Sequence, residues 1–189
     1  MLKDSDALLI VDVQADFLPG GALAVPSGDE VVPVLASVAA AFRQAGLPVV
    51  ASRDWHPEDH CSFAARGGPW PPHCIAGTPG AELDPNLGLD PGTLIVDKAT
   101  APDKDAYSAF DGTGLARLLE DRGVTRVIVG GLATEYCVLN TARDAIASGF
   151  ELVLLNDAIR AIDPTDGERA IAELGDLGAL VLPSGTALQ

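Results

Sequence analysis

Basic residues are scarce in this chain. Twelve Lys and Arg stand against 27 Asp and Glu, a formal net charge of −15, and such a field repels phosphate backbones and anionic lipid surfaces. Nucleic acid and membranes are therefore not expected as partners. Long apolar runs are missing too. None approaches the ~18 consecutive residues of a membrane span, and the N-terminal MLKDSDALLIVD lacks the basic stretch and cleavage site of a secretory signal. A soluble, cytoplasmic protein is expected. Cysteine is limited to Cys61, Cys74 and Cys137; an odd number in an otherwise ordinary globular composition argues against a disulfide framework and for reduced thiols. Histidine is equally sparse, at His56, His60 and His73.

What the chain does have is 48% hydrophobic residues over 189 positions, enough to bury a sizeable core in one domain spanning 1–189. Four short apolar runs, ALLIVDV (7–13), LPVVASR (47–53), TLIVDK (93–98) and RVIVGGL (126–132), have the length and β-branching of strands buried on both faces. ELVLLN (151–156) and ALVLP (179–183) read the same way. Helical periodicity separates them: Val31, Val34, Leu35, Val38 and Phe42 recur at three and four residues, and Leu115, Leu118 and Leu119 share a face before Gly123. A third helix is expected from about Glu135 to Ser148. A fourth should start at Thr165, which with Glu168 has the Thr-x-x-Glu pattern of a capping box. Strands alternating with helices predict a doubly wound α/β fold, a mainly parallel six-stranded sheet with helices on both faces. The exception is 54–92, where Pro and Gly cluster and no periodicity persists; a loop that long in a compact domain is more often functional than idle.

In such sheets ligands bind beyond the carboxyl ends of the strands. Asp12 closes the first predicted strand, Asp54 follows the second, Lys98 closes the third and Cys137 lies just past the fourth. Each alone also reads as a cap, a turn residue or a solvated charge; four together argue for a site. Asp54-x-His56 offers an oxygen and an imidazole nitrogen on one short turn. His73, folding back from the same loop, would complete a set of two histidines and one carboxylate with open positions, which is the arrangement of a catalytic metal centre and not of a closed structural one. His60 reads as an exposed loop histidine, with a fourth or supporting ligand as the alternative. Cys137 follows Gly130-Gly131 near a predicted helix N-terminus, where the dipole and free N–H groups lower a thiol pKa and bind an oxyanion. The competing reading is a small buried apolar residue, and that reading is preferred for Cys61 and Cys74. A nucleophile at Cys137 needs a base. Asp12 can supply it, as a carboxylate raised by desolvation at the sheet edge with Lys98 opposing the rise. The implied chemistry is acyl transfer from an amide.

Assembled, these stretches resemble the nicotinamidases of the isochorismatase-like cysteine hydrolase superfamily: VDVQADFLPGGALAV (11–25), RDWHPEDHCSF (53–63), GGPWPPHC (67–74), DKATAPDKDAYSAF (97–110) and GGLATEYCV (130–138), the last with one extra glycine at Gly131. The resemblance implies a catalytic triad of Asp12, Lys98 and Cys137, and metal ligands Asp54, His56 and His73. It also implies an oxyanion hole from the N–H groups of Ala133 and Cys137, and a cis peptide between Leu132 and Ala133. Phe17 and Trp70 match the family's ring-binding wall, with Tyr107 a weaker match that also reads as an ordinary packing aromatic. The implied cofactor is one divalent metal ion, zinc foremost, with iron and manganese equally compatible with nitrogen and oxygen donors. The implied activity is hydrolysis of nicotinamide to nicotinate and ammonia in NAD salvage, with pyrazinamide as a further substrate. Rival readings are a related enzyme acting on a carbamoyl compound or another small amide, a metal-free isochorismatase, and a metal-storage protein. The last would have no use for Asp12, Lys98 and Cys137 together. The expected partner is the small-molecule substrate, and a homo-oligomer is compatible with the sequence.

Overall fold

A computed structural model describes residues 2–189. Six strands form one sheet: β1 (Asp6–Val11), β2 (Val49–Asp54), β3 (Leu94–Lys98), β4 (Arg126–Leu132), β5 (Glu151–Arg160) and β6 (Leu180–Leu182). Their spatial order is β3-β2-β1-β4-β5-β6, and every neighbouring pair is parallel. The helices are α1 (Val31–Gln44), α2 (Leu115–Glu120), α3 (Leu139–Ala147), α4 (Pro164–Asp176) and α5 (Ser184–Ala187).

The apolar runs become central strands because each face of the sheet is covered. In β1 alternate side chains serve two cores. Leu8 and Ile10 pack with Leu35, Val38 and Phe42 of α1, while Ala7, Leu9 and Val11 pack with Leu139, Ala142 and Ala145 of α3 and Ala170 and Leu174 of α4. The edge strand β3 alternates between covered and open positions, and Ile95 is 45% exposed.

Three boundaries differ from the sequence reading, each for a local reason. β1 stops at Val11 because Asp12 adopts φ +50°, in the left-handed region that breaks an extended repeat. β5 runs on to Arg160, its register against β4 shifting between Val129 and Gly131, as a bulge permits. The Thr165–Glu168 pair does not cap α4; the cap is Asp163, whose carboxylate accepts from Thr165 N and Asp166 N at 2.8 and 3.1 Å. Pro164, with φ already set for a first helical position, follows that cap directly. The third helix region opens as a π-helical turn, Thr134–Val138, and becomes α3 at Leu139.

The extra glycine of the 130–138 stretch has a steric role. Gly131 pairs with Val11 across β1 and β4 at φ +137°, and a Cβ there would collide with Val11 O and stand 2.6 Å from Val11 N. Neither backbone atom can yield without breaking the central ladder. Gly131→Ala is therefore expected to destabilise the protein by about 3 kcal/mol or more, read from urea unfolding midpoints. An unchanged midpoint would mean that the two strands separate freely at this point.

Candidate active site

The chain leaves β1 toward β2 and leaves β4 toward β5, on opposite sides, so a crevice opens beyond their carboxyl ends. Asp12 follows β1, Asp54 and Lys98 are the last residues of β2 and β3, and Cys137 lies in the turn after β4. Parallel pairing alone brings these four to one edge of the sheet.

Lys98 joins them. Its fully buried Nζ stands 2.9 Å from Asp12 Oδ2, 2.5 Å from Asp54 Oδ1, 3.4 Å from Cys137 Sγ and 3.2 Å from Ala106 O. The Asp12 contact is an ion pair lying off the line of a hydrogen bond, and the other Asp12 oxygen accepts from Ser52 Oγ at 2.7 Å. The pairing of Lys98 with Asp54 as well as Asp12 was not anticipated from the sequence.

One ammonium between two buried carboxylates separates their behaviour. Burial pushes Lys98 down, and Asp12 and Asp54 more than offset it, so the lysine sits well above its ordinary range and stays charged. Burial raises Asp12; Lys98 opposes the rise and Asp54 adds to it. Burial also pushes Asp54 upward, but Lys98 with the imidazoles of His56 and His73 pulls it below the usual carboxylate range. The two carboxylates are thus pushed in opposite directions by their surroundings.

Cys137 corrects the sequence reading. The thiol is not acidified: burial raises its pKa well above ordinary, Lys98 lowers it only in part, and Asp12 and Asp54 add to the rise. A buried thiolate beside two carboxylates loses more in solvation and repulsion than the helix start and the lysine return. The upward shift favours the protonated thiol. A carboxylate oxygen of Asp12 lies within 4.8 Å of that sulfur.

The fold-back of the 54–92 loop takes place. His56 N donates to Cys74 O at 3.0 Å and Ala76 N to His56 O at 2.8 Å, which brings His73 beside His56. One ligand atom each from Asp54, His56 and His73 lies within 4.8 Å of the others, and all three residues are buried. The ring nitrogens are suitably oriented. His56 Nδ1 faces His73 O at 3.0 Å and His73 Nδ1 faces Pro71 O at 2.8 Å. A carbonyl only accepts, so both Nδ1 atoms carry hydrogen and both Nε2 lone pairs are free for an ion. Burial lowers the His56 pKa, with Asp54 opposing, which keeps that imidazole in the neutral form a metal requires. The donor set fits a divalent ion.

Several supporting residues carried no sequence signal of their own. The Gln14 amide holds the Asp54 backbone on both sides, accepting from Asp54 N and donating to Asp54 O, both at 2.8 Å, and also donates to Ala81 O at 2.8 Å. Phe63 presents its ring to His56 and His73. His60 is not the exposed loop histidine expected: it is fully buried, stacks on His56 with ring centroids 4.3 Å apart, and engages Ser62 Oγ at 2.7 Å and Lys104 O at 3.1 Å. The loop closes over it because Cys61 N is held by Pro102 O at 2.8 Å. Cys74 is buried, as expected of an apolar cysteine, and burial pushes its thiol far up, while Cys61 is only half-buried.

A narrow pocket leads to these groups. Phe17, Trp70 and Tyr107 line it as expected, and Asp54, His73, Ala133 and Cys137 also reach it. Leu23, Tyr136 and Ile162 complete the wall and were missed. Tyr136 had a usable signal, its place directly before Cys137; Leu23 and Ile162 had none. Trp70 Nε1 donates to the Tyr107 hydroxyl at 3.1 Å, and Trp70 meets Tyr136 edge-on with centroids 5.1 Å apart. The Leu132–Ala133 peptide is cis, and Ala133 O accepts from Tyr136 N and Val138 N at 3.1 and 3.2 Å.

Comparison with known proteins places the geometry in context. The family profile described as Isochorismatase domain matches residues 6–185. A nicotinamidase of Acinetobacter baylyi is 39% identical over 179 residues, which cover 83% of this chain and 82% of that relative. A pyrazinamidase of Pyrococcus horikoshii, solved in complex with zinc, matches with a TM-score of 0.91 at 50% identity, covering 95% of this chain and 99% of that one. A protein of L. infantum solved in complex with nicotinate matches with a TM-score of 0.91 at 41% identity, covering 97% and 96% of the two chains.

Proposed function

The chain belongs to the isochorismatase family, and from that membership we propose how each residue of its buried constellation acts. It is an amidohydrolase that converts nicotinamide to nicotinate and ammonia, with a divalent metal ion in its site. The observation that carries the assignment of roles is the position of Lys98, whose Nζ lies within 3.4 Å of Asp12, Asp54 and Cys137 and so ties a proton-transfer pair to a metal-ligand set.

Asp54, His56 and His73 hold the ion, and zinc is the proposed one because the neighbouring pyrazinamidase was solved with it and the donors suit it. When bound, it supplies a Lewis-acidic acceptor for the ring nitrogen of the substrate. Phe17, Trp70 and Tyr107 pack the ring and place the carboxamide carbon beside Cys137 Sγ. Asp12 takes the thiol proton as the sulfur attacks, and Lys98 holds Asp12 and steadies the negative charge that collects there. The N–H groups of Ala133 and Cys137 receive the oxyanion; as first-turn and strand-end amides they lack a helical acceptor. Asp12 returns its proton to the leaving nitrogen, which departs as ammonia. The same carboxylate then takes one proton from the incoming water as its oxygen displaces sulfur and passes it to Cys137; the acid product gives up its remaining proton and leaves as nicotinate.

Release of ammonia from nicotinamide by the purified protein tests the activity directly. Exhaustive chelation is expected to remove roughly one ion per chain together with most of the activity, and zinc should restore both. His56→Ala and His73→Ala should purify metal-poor. His60→Ala, which removes the ring stacked on His56 together with its bonds to Ser62 Oγ and Lys104 O, should retain an ion with an affinity weakened about 10–100-fold. Fully active protein without metal by elemental analysis would overturn the ligand assignment.

A further inference from the structure

Glu135 lies between Thr134 and Tyr136 in the turn that presents Cys137, and the mechanism above gives it no task. Its side chain makes an unusual connection. A single oxygen, Oε1, accepts from two successive backbone amides, Ile162 N and Asp163 N, both at 2.8 Å. Those amides belong to the segment joining β5 to α4, 27 and 28 residues away in sequence. The segment contributes Ile162 to the pocket wall, which it shares with the aromatic group to which Tyr136 belongs. The next residue, Asp163, caps α4. Two amides directed at one acceptor fix the local chain direction, since rotating either peptide loses a bond to a partly buried acceptor.

We infer that Glu135 is a specificity-determining positioning residue: by clamping the Ile162–Asp163 backbone to the nucleophile turn, it sets the width of the slot into which the substrate ring fits. The inference rests on the amide-hydrolase reading of the same pocket. Chemistry at sulfur does not require Glu135, because its carboxylate is directed at the 162–163 backbone and not at Asp12, Lys98 or Cys137. Fit of the ring does require it. With the clamp removed, Ile162 keeps its chain neighbours and its packing against the core, but the two bonds that fix its backbone direction are lost and the wall can recede. A slot that has widened gains tolerance for extra bulk and loses grip on the natural ring.

The test compares nicotinamide with a panel of ring-methylated nicotinamides on metal-replete protein, using wild type, Glu135→Ala, Glu135→Gln and Ile162→Ala. In Glu135→Ala, KM for nicotinamide is expected to rise about tenfold with kcat changed less than threefold. The wild type's preference for nicotinamide over its best methylated analogue should shrink by about tenfold, the scale on which one methyl group is discriminated in an apolar pocket. Ile162→Ala should relax the preference in the same direction. Glu135→Gln keeps an Oε1 acceptor in place and should restore both KM and preference to near wild-type values, which a loss through general destabilisation would not do. If Glu135→Ala does not fold, Glu135→Gln and Glu135→Asp decide: the clamp requires the glutamine variant to behave as wild type and the shorter aspartate, whose oxygen cannot reach both amides, to show the raised KM and relaxed preference. Unchanged preference in the alanine or aspartate variant, or a glutamine variant as impaired as either, would overturn the proposal. Absence of ammonia release by the wild type would instead overturn the underlying activity, so the two failures are distinct.

Discussion

Cys137→Ala is expected to lower kcat for nicotinamide by about 10⁴-fold or more, because removal of a covalent nucleophile leaves only binding and oxyanion stabilisation to act on the uncatalysed reaction. Folding should survive. The residue is small and 5% exposed, the substitution deletes one sulfur atom, and the neighbouring Lys98 keeps both carboxylate partners. A stability change of no more than about 1–2 kcal/mol is expected in urea unfolding. Metal content should also be retained, since Asp54, His56 and His73 do not depend on the sulfur. The other two thiols are the controls. Cys74 is sealed in the core and Cys61 is half-buried in the 54–92 loop and absent from the pocket wall, so alanine at either should preserve most turnover. Substantial amidase activity in folded, metal-replete Cys137→Ala would reduce this cysteine to a core residue. Inactivity of Cys61→Ala with normal folding would show that the thiols have been sorted wrongly.

The second large effect concerns the ring nitrogen. In the proposed pose two chemically different sets of pocket residues meet the substrate: Cys137 and Ala133 meet the carboxamide, and the Asp54 and His73 ligand set, the polar end of the pose, meets a ring atom. Benzamide has the same amide and a ring of the same size for Phe17 and Trp70, but nothing to place against the polar end. A site built to bind a polar atom rejects an analogue lacking it by about 10⁴–10⁵-fold when its own groups are left unpaired, and the loss of positioning further lowers the attack rate. Benzamide should therefore show kcat/KM lower than nicotinamide by at least about 10³-fold. Pyrazinamide, which keeps a nitrogen at the corresponding ring position, should be hydrolysed. Three kcat/KM values on metal-replete protein decide the matter. Benzamide turned over as well as nicotinamide would sink the polar-end recognition and leave the Cys137 nucleophile standing.

Much of the site is legible in the sequence because its residues sit at strand ends, where the end of an apolar run marks the place. Asp12, Asp54, Lys98 and Cys137 each interrupt or follow such a run, and parallel pairing, which follows from alternating strands and helices, delivers all such positions to one edge of one sheet. His73 was reachable for another reason, scarcity: with only three histidines in the chain, a second imidazole for the Asp54-x-His56 turn could come from few places. Proline and glycine in the 54–92 region signalled correctly that this segment would lack regular strands and helices longer than a turn.

What the sequence determined by itself, then, was the inventory and the edge: local periodicity sets which segments become strands and helices, and that periodicity is written in neighbouring residues. The tertiary structure alone decided the quantities that depend on what arrives from elsewhere in the chain. Whether Cys137 is acidified turns first on its own burial and then on two carboxylates and a lysine from the ends of three strands; burial and the carboxylates raise the thiol, and the lysine opposes them only in part. The burial of His60 depends on Cys61 N meeting Pro102 O across the loop closure. Ile162 lines the pocket, and its backbone is held by Glu135 from another segment. Desolvation and long-range hydrogen bonding act through distance in space, and a spacing along the chain does not encode that distance until the sheet has brought its ends together.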